Sequence, residues 1–389
     1  MTDARRSRNR PGVAARRGRH ARRSRSAPLI HAVILAGGAG ERFWPASRRE
    51  RPKHFLRVVG KRTLLEATLA RARRFARKDR IWIVCGEDQA KATRKESGLP
   101  ASRVLVEPRR RNTAMAAAWA AQRVKAVDPD AVMAILSADH HIPDAAAFAS
   151  DIKLSARAAA EADVLVTLGV KPTRPETGYG YIQSGPAAPG FRRLRHVKRF
   201  VEKPSLPTAR RYLRSGQYRW NAGIFLFKAS VFLAEVERHA PDVHRALAPL
   251  RGPKARTRKA VESAYRRAPS LPLDVAVMER SDQVWTLPVD FQWSDVGTWA
   301  SLAEELGVGK SGPGARRLAG NRILGGEALL EEASNNLVWA GDRLVALLGV
   351  EDLVVVDTED VTFVTKLDGV SDVRRLVAKL RDTGRDELT

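Results

Sequence analysis

The stretch Ala32-Val33-Ile34-Leu35-Ala36-Gly37-Gly38-Ala39-Gly40-Glu41-Arg42-Phe43-Trp44-Pro45 decides how the chain is read. Its apolar run is continuous rather than alternating, as in a strand buried on both faces, and it leads straight into a glycine loop. Open α/β sheets take phosphates at such a loop, because backbone N–H groups can close around an anion where no Cβ intervenes. A dinucleotide fingerprint is excluded, since Phe43 stands where its third glycine belongs, and a P-loop is excluded because no Gly-Lys-Ser/Thr follows. Two cations do follow, Arg42 and, after an arginine-rich stretch, Lys53.

The alternation continues outward. Ile81–Cys85, Arg103–Val106, Ala131–Leu136 and Val164–Gly169 read as strands, with Thr63–Ala76, Thr113 to about Val127 and Ala145–Glu161 as helices. This predicts an α/β fold with a doubly wound, mostly parallel sheet. Beyond Gly180 the pattern mixes, with extended pieces at Arg195–Val201 and Ile224–Lys228 and helices between Ser230 and Arg267. The expected divisions are a basic tail over 1–28, a main domain over 29–306, a Gly/Pro/Arg-rich linker over 307–319 and a small C-terminal β-rich module over 320–389. Short strands separated by Gly-Gly, Asn-Asn and Gly-Asp turns fit the coils of a β-helix, closed by a helix over Val370–Arg381.

The chain has 389 residues and a formal charge of +26, yet 44% of it is hydrophobic, so the charge sits on an ordinary globular chain. Ten arginines against the single Asp3 give the segment before Leu29 a net +9. With no apolar run to bury, that segment is expected to be a disordered, dispensable extension. It lacks the core of a secretory signal, no stretch approaches a membrane span, and Cys85 is the only cysteine, so a cytoplasmic protein without disulfides is expected. Nucleic acid is not an expected partner: aromatics are 6% of the chain and no nucleic-acid-binding motif is present. The sequence sets no oligomeric state and leaves room for a homo-oligomer.

Several loops carry chemistry. Leu136-Ser137-Ala138-Asp139-His140-His141 puts a carboxylate directly after a buried strand, where it can hold Mg²⁺ against a nucleotide's phosphates. It could equally cap a helix, although Asp144 is the better cap for the helix from Ala145. His140 and His141, with no cysteine or third histidine nearby, read as solvent-facing or hydrogen-bonded structural residues. In Trp293-Ser294-Asp295-Val296-Gly297-Thr298-Trp299 a second acid enters a helix. Asp139 and Asp295 gain a joint meaning only if the fold brings them together. Further clusters are Glu107-Pro108 through Arg111-Asn112-Thr113, Pro172 through Tyr181, Glu202-Lys203-Pro204 and Trp220-Asn221-Ala222-Gly223. Their glycines and hydrogen-bonding side chains suit a hydroxyl-rich, phosphorylated ligand.

Taken in order, the blocks Leu35–Leu56, Glu107–Ala114, Pro172–Ile182, Phe200–Pro204, Trp220–Gly223 and Trp293–Trp299 resemble the sugar-1-phosphate nucleotidyltransferases, and among them the bacterial mannose-1-phosphate guanylyltransferases. The resemblance runs from about Ala32 to Thr389. It implies an α/β domain of the nucleotide-diphospho-sugar transferase type with a left-handed β-helix-like C-terminal part. The implied reaction is Mg²⁺-assisted transfer of GMP from GTP to mannose 1-phosphate, giving GDP-mannose and pyrophosphate. By resemblance, Gly37, Gly38 and Gly40 would surround the GTP phosphates while Arg42 and Lys53 neutralise them. Asp139 and Asp295 would share Mg²⁺, and Asn112 and Thr113 would lie towards the base. Tyr179, Gly180, Glu202 and Asn221 would surround the sugar, with Lys203 on its phosphate. Many relatives carry a further isomerase domain; this chain shows none, so isomerase activity is not expected. Ser137 and Met115 stand where the family usually has proline, Ala222 where it usually has serine, and Arg109 and Arg110 make the base-side loop unusually basic. These departures leave open another pair, such as UTP or dTTP with glucose 1-phosphate. A non-catalytic nucleotide-sugar sensor should have lost a metal acid or phosphate cation, and none is missing.

Overall fold

Nine strands pair into one large sheet in the computed structural model, which describes residues 27–38, 40–252, 255, 257–309, 320–369 and 372–389. The expected disordered tail, up to residue 26, and residues 310–319 of the expected linker lie outside the described residues. The strands are β1 (Ile30–Ala36), β2 (Ile81–Gly86), β3 (Val104–Glu107), β4 (Val132–Ser137), β5 (Leu165–Val170), β6 (Tyr181–Ala188), β7 (Phe191–Val201), β8 (Tyr218–Lys228) and β9 (Val284–Val289). Their order across the sheet is β3-β2-β1-β4-β8-β5-β9-β7-β6.

In β1, Ala32 sits opposite Ile81 of β2 on one side and Ala134 of β4 on the other, both in parallel register. Successive residues of a strand face opposite ways, and here the two faces feed different cores. Ala32, Ile34 and Ala36 join Leu65, Leu69, Phe148 and Ile152 beneath the helices Leu64–Ala72 and Ala145–Ala162. Val33 joins Met115, Trp119 and Phe232 beneath the helices Asn112–Lys125 and Ala229–His239. An unbroken apolar strand is what a sheet covered on both faces requires. Parallel pairing runs across β3-β2-β1-β4 and again between β5 and β9, whereas β8 runs against both β4 and β5, making the whole sheet mixed.

Because β2 and β4 flank β1, the strand order reverses there and a crevice opens beyond the carboxyl ends of β1 and β4. The glycine loop leaves β1 at this place and Asp139 follows β4. Neither site acid is used as a helix cap. Asp144 Oδ1 accepts from Ala146 N at 3.1 Å and Ala147 N at 2.9 Å, and Thr298 caps the helix Trp299–Glu305.

The C-terminal strands are β10 (Arg322–Gly325), β11 (Ala328–Glu331), β12 (Leu337–Ala340), β13 (Val345–Leu348), β14 (Leu353–Asp357) and β15 (Thr362–Lys366). β10, β12 and β14 stack in parallel, and β11 and β13 stack in parallel in a second sheet, the pattern of a β-helix. Buried Asn336 stitches successive coils: its Nδ2 donates to Asn321 Oδ1 at 3.1 Å and to Val350 O at 3.2 Å, and its Oδ1 accepts from Leu353 N at 2.9 Å.

The coil shares a core with the loop that follows the glycines. Phe43, Trp44, Leu56 and Trp299 pack in one cluster with Leu337, Val354, Val356 and Phe363. The ring of fully buried Trp299 lies 4.8 Å from Phe43 and 5.7 Å from Trp339, and its Nε1 donates to Trp44 O at 3.1 Å. Trp44 Nε1 donates in turn to Leu388 O at 2.6 Å. Emptying this seam with Trp299→Ala is expected to cost about 3–5 kcal/mol, read as a lowered urea midpoint; an unchanged midpoint would contradict a shared core.

Candidate active site

A cavity of about 400 Å³ occupies the crevice, lined by Gly37, Gly38, Gly40, Lys53 and Asp139 together with Glu107, Asn112, Thr113 and Asp274. Gly40 has φ +69°, and a Cβ there would lie 2.7 Å from both the backbone N and the Cβ of Lys53, so only glycine lets Lys53 come this close. Ser47 Oγ donates to Gly40 O at 2.6 Å and fastens the loop.

Lys53 joins the two acids. Its side chain is 7% exposed, and Nζ donates to Asp139 Oδ2 at 2.8 Å and to the Asp295 carbonyl at 2.6 Å. The two segments are also tied by an antiparallel bridge in which His141 N donates to Ser294 O at 2.8 Å and Ser294 N to His141 O at 3.0 Å. Burial works to raise the Asp139 carboxyl, but Lys53 overrides it and, with His140 and Ser137, holds it well below the usual carboxylate range. Ser137, which stands where proline was the expected residue, donates from Oγ to Asp139 Oδ1 at 2.5 Å. That departure therefore adds a bond to the acid.

Asp295 Oδ1 accepts from Tyr179 Oη at 2.6 Å and Gly297 N at 3.0 Å. Burial and then Asp295 raise the Tyr179 phenol far above its ordinary value, so it remains a donor. Its ring is held edge-on to Trp220 and Trp293, each at 5.2 Å. His140 is buried and structural: burial lowers it to about 4, and its Nδ1 accepts from Trp293 Nε1 at 3.2 Å. Among the described residues no third His, Cys, Asp or Glu completes a metal cluster with the two acids. Two carboxylates without soft ligands suit a hard cation that keeps waters and takes its other ligands from phosphate, which is the donor set Mg²⁺ prefers.

Tyr179, Gly180, Glu202, Lys203 and Asn221 gather beside this cavity rather than in its lining. Asn221 N donates to Gly180 O at 2.8 Å, and a Cβ on Gly180 would fall 2.6 Å from Glu202 Oε2. Lys203 has φ +48°, a side chain 60% exposed and an ion pair to Glu202 Oε1 at 2.8 Å. Asp295 reaches the cavity through its carbonyl bond to Lys53, while Arg42 is exposed and outside the lining.

Among the titratable cavity residues, His54 and Asp274 received no role from the sequence, and Glu107 was named only as the start of a loop cluster. Glu107 is 6% exposed and its Oε1 has no hydrogen-bond partner among the described residues. Burial pushes its carboxyl up to about 7, with Tyr265 and Arg110 only partly opposing. Burial likewise lowers His54 to about 4, keeping it neutral. The available signal for Asp274 was a lone acid in the apolar run Leu271–Met278.

The nucleotidyl transferase family matches residues 31–307, and a family described as MannoseP isomerase/GMP-like beta-helix domain matches residues 326–380. The xanthan biosynthesis protein XanB of Xanthomonas campestris pv. campestris (strain B100) is 38% identical over 92% of this chain and 74% of its own length. The mannose-1-phosphate guanylyltransferase of Escherichia coli (strain K12) is 37% identical over 92% of this chain and 75% of its own. A solved structure described as mannose-1-phosphate geranyltransferase from Thermus thermophilus superposes with a TM-score of 0.80 at 34% identity, covering 90% of this chain and 99% of that one. The crevice with its glycine loop thus lies within the matched nucleotidyl transferase region and the coil within the matched β-helix region, and the chain belongs to the nucleotidyl transferase family, among its mannose-1-phosphate guanylyltransferases.

Proposed function

We infer that the protein transfers GMP from GTP to α-D-mannose 1-phosphate, forming GDP-mannose and pyrophosphate. The observation that carries this reading is the single ammonium of Lys53, shared between Asp139 and Asp295 at the mouth of a glycine loop. A phosphate oxygen of the sugar forms the new bond to the α-phosphorus as the bond to the bridging oxygen breaks and pyrophosphate leaves. That nucleophile is already ionised, so the protein supplies alignment and charge rather than a general base. In this reading the N–H groups around Gly37, Gly38 and Gly40 surround the triphosphate and Lys53 neutralises it, with Arg42 at the outer side of the loop. Tyr179, Gly180, Glu202 and Asn221 receive the sugar, and Lys203 its phosphate. Asp139 and Asp295 would hold Mg²⁺, which when bound supplies charge neutralisation at the α-phosphate. No described helix is long and apolar enough to cross a membrane, and a cytoplasmic setting accompanies this reading.

The base would meet Asn112, Thr113 and Glu107. A carboxylate accepts two parallel donors, and guanine offers adjacent N1–H and N2–H₂ groups. Glu107 lines the cavity on this side, and its carboxylate is the acceptor this reading assigns to them.

Pyrophosphate release across a grid of nucleoside triphosphates and sugar 1-phosphates with Mg²⁺ should place GTP with mannose 1-phosphate among the best pairs; its absence there would overturn the assignment. Asp139→Asn is expected to lower turnover at least about a hundredfold while circular dichroism stays unchanged, and near-normal turnover would exclude its role. Glu107 gives a pH signature. Its carboxyl loses the ionised, doubly accepting form as pH falls through about 7. The kcat/KM preference for GTP over ITP, which lacks the 2-amino group, should therefore shrink up to about tenfold from pH 8 to 6. Glu107→Gln should flatten that dependence, and a preference that stays constant in the wild type would remove Glu107 from base reading.

A further inference from the structure

The segment Leu271–Glu279 touches both sides of the site. Leu273 N donates to Thr113 Oγ1 at 2.8 Å, and Ala114 N donates to Leu271 O at 3.1 Å, fastening the segment to the base-side helix. From Asp274 to Met278 its backbone is π-helical, a rare wide turn that recurs at functional places. Asp274 Oδ1 accepts from Asn221 Nδ2 at 2.7 Å. Asn221 Oδ1 is occupied as well, by Thr167 Oγ1 at 2.9 Å and Gly223 N at 3.1 Å. At the far end of the turn, Glu279 Oε1 accepts from Glu202 N at 2.7 Å.

These bonds determine which way the Asn221 amide points. Two donors hold its oxygen and Asp274 takes one N–H, so one N–H is left for a ligand. A flipped amide would set its NH₂ against the two donors and its oxygen against a carboxylate. Burial, then Glu202, pushes the Asp274 carboxyl up to about 6, with Asn221 and Lys203 opposing, so it is mainly an acceptor at neutral pH. Resting on the reading that Asn221 and Glu202 receive the sugar, we propose that Asp274 is a positioning residue of the sugar site, acting through Asn221, and that Leu271–Glu279 is the strut that holds the sugar side in register with the nucleotide side. A small displacement of a positioning group is enough to cost a large factor in productive binding.

The test uses the full-length enzyme and whichever sugar 1-phosphate the wild type uses best, so it does not depend on that sugar being mannose. Asp274→Ala and Asp274→Ser, made in parallel in case one does not fold, should raise KM for the sugar phosphate tenfold or more while KM for the nucleotide stays within threefold. Asp274→Asn, which still offers an oxygen to Asn221 Nδ2, should return the sugar KM to within threefold of wild type. The Asp274→Ala effect should largely vanish in an Asn221→Ala background. Equal changes in both KM values, no change in either, or an Asp274→Asn enzyme as impaired as Asp274→Ala would overturn the proposal. An Asn221→Ala enzyme with an unaltered sugar KM would instead overturn the site assignment beneath it, and the proposal with it.

Discussion

Lys53 carries a charge into a place where its side chain is 7% exposed, and a desolvated charge is tolerable only when it is paired and hydrogen-bonded. Its partners come from distant parts of the chain, Asp139 being 86 residues on and Asp295 242 residues on. Satisfying one ammonium therefore fixes three loops at once: the glycine loop that must admit Lys53, the end of β4, and the turn before Trp299. The His141–Ser294 bridge adds a backbone clamp to the same junction. In the proposed reading, a phosphate entering the crevice would meet a cation that is already dehydrated and aimed, so little reorganisation would be left for the moment of reaction.

The parallel half of the fold was legible because its signal is local. The runs around Ile34, Ile83 and Val166 are apolar throughout, and only a strand covered on both faces needs that. The second half spoke less clearly. β6 contains Gly185 and Pro186 and is half-exposed along its length, and β9 carries Pro288, so neither offers a continuous or cleanly alternating pattern. At the site, residue types at loop ends marked Gly37, Lys53, Asp139 and Asp295, but only the three-dimensional structure brings the Asp139 carboxylate and the Asp295 main-chain carbonyl to one ammonium. Glu107 and Asp274 stayed without roles because sequence does not show whether a carboxylate is left without a bonding partner or leans on an asparagine. The π turn that aims Asp274 has no composition of its own. Ser137 is a departure from the family's usual proline in sequence, and only the structure shows its hydroxyl on Asp139.

The indole of Trp44 reaches Leu388 O across 344 residues. Trp44 belongs to the same short run as Phe43, which packs beneath the Lys53 ammonium at 5.5 Å. The crevice is thus braced from a residue far along the chain, Leu388. A growing chain can form the parallel sheet, whose contacts are mostly nearer in sequence, well before it can complete this brace. The brace therefore waits on Leu388, and a chain without that residue would retain most of the sheet while lacking the contact that seats Trp44 and the glycine loop beside it.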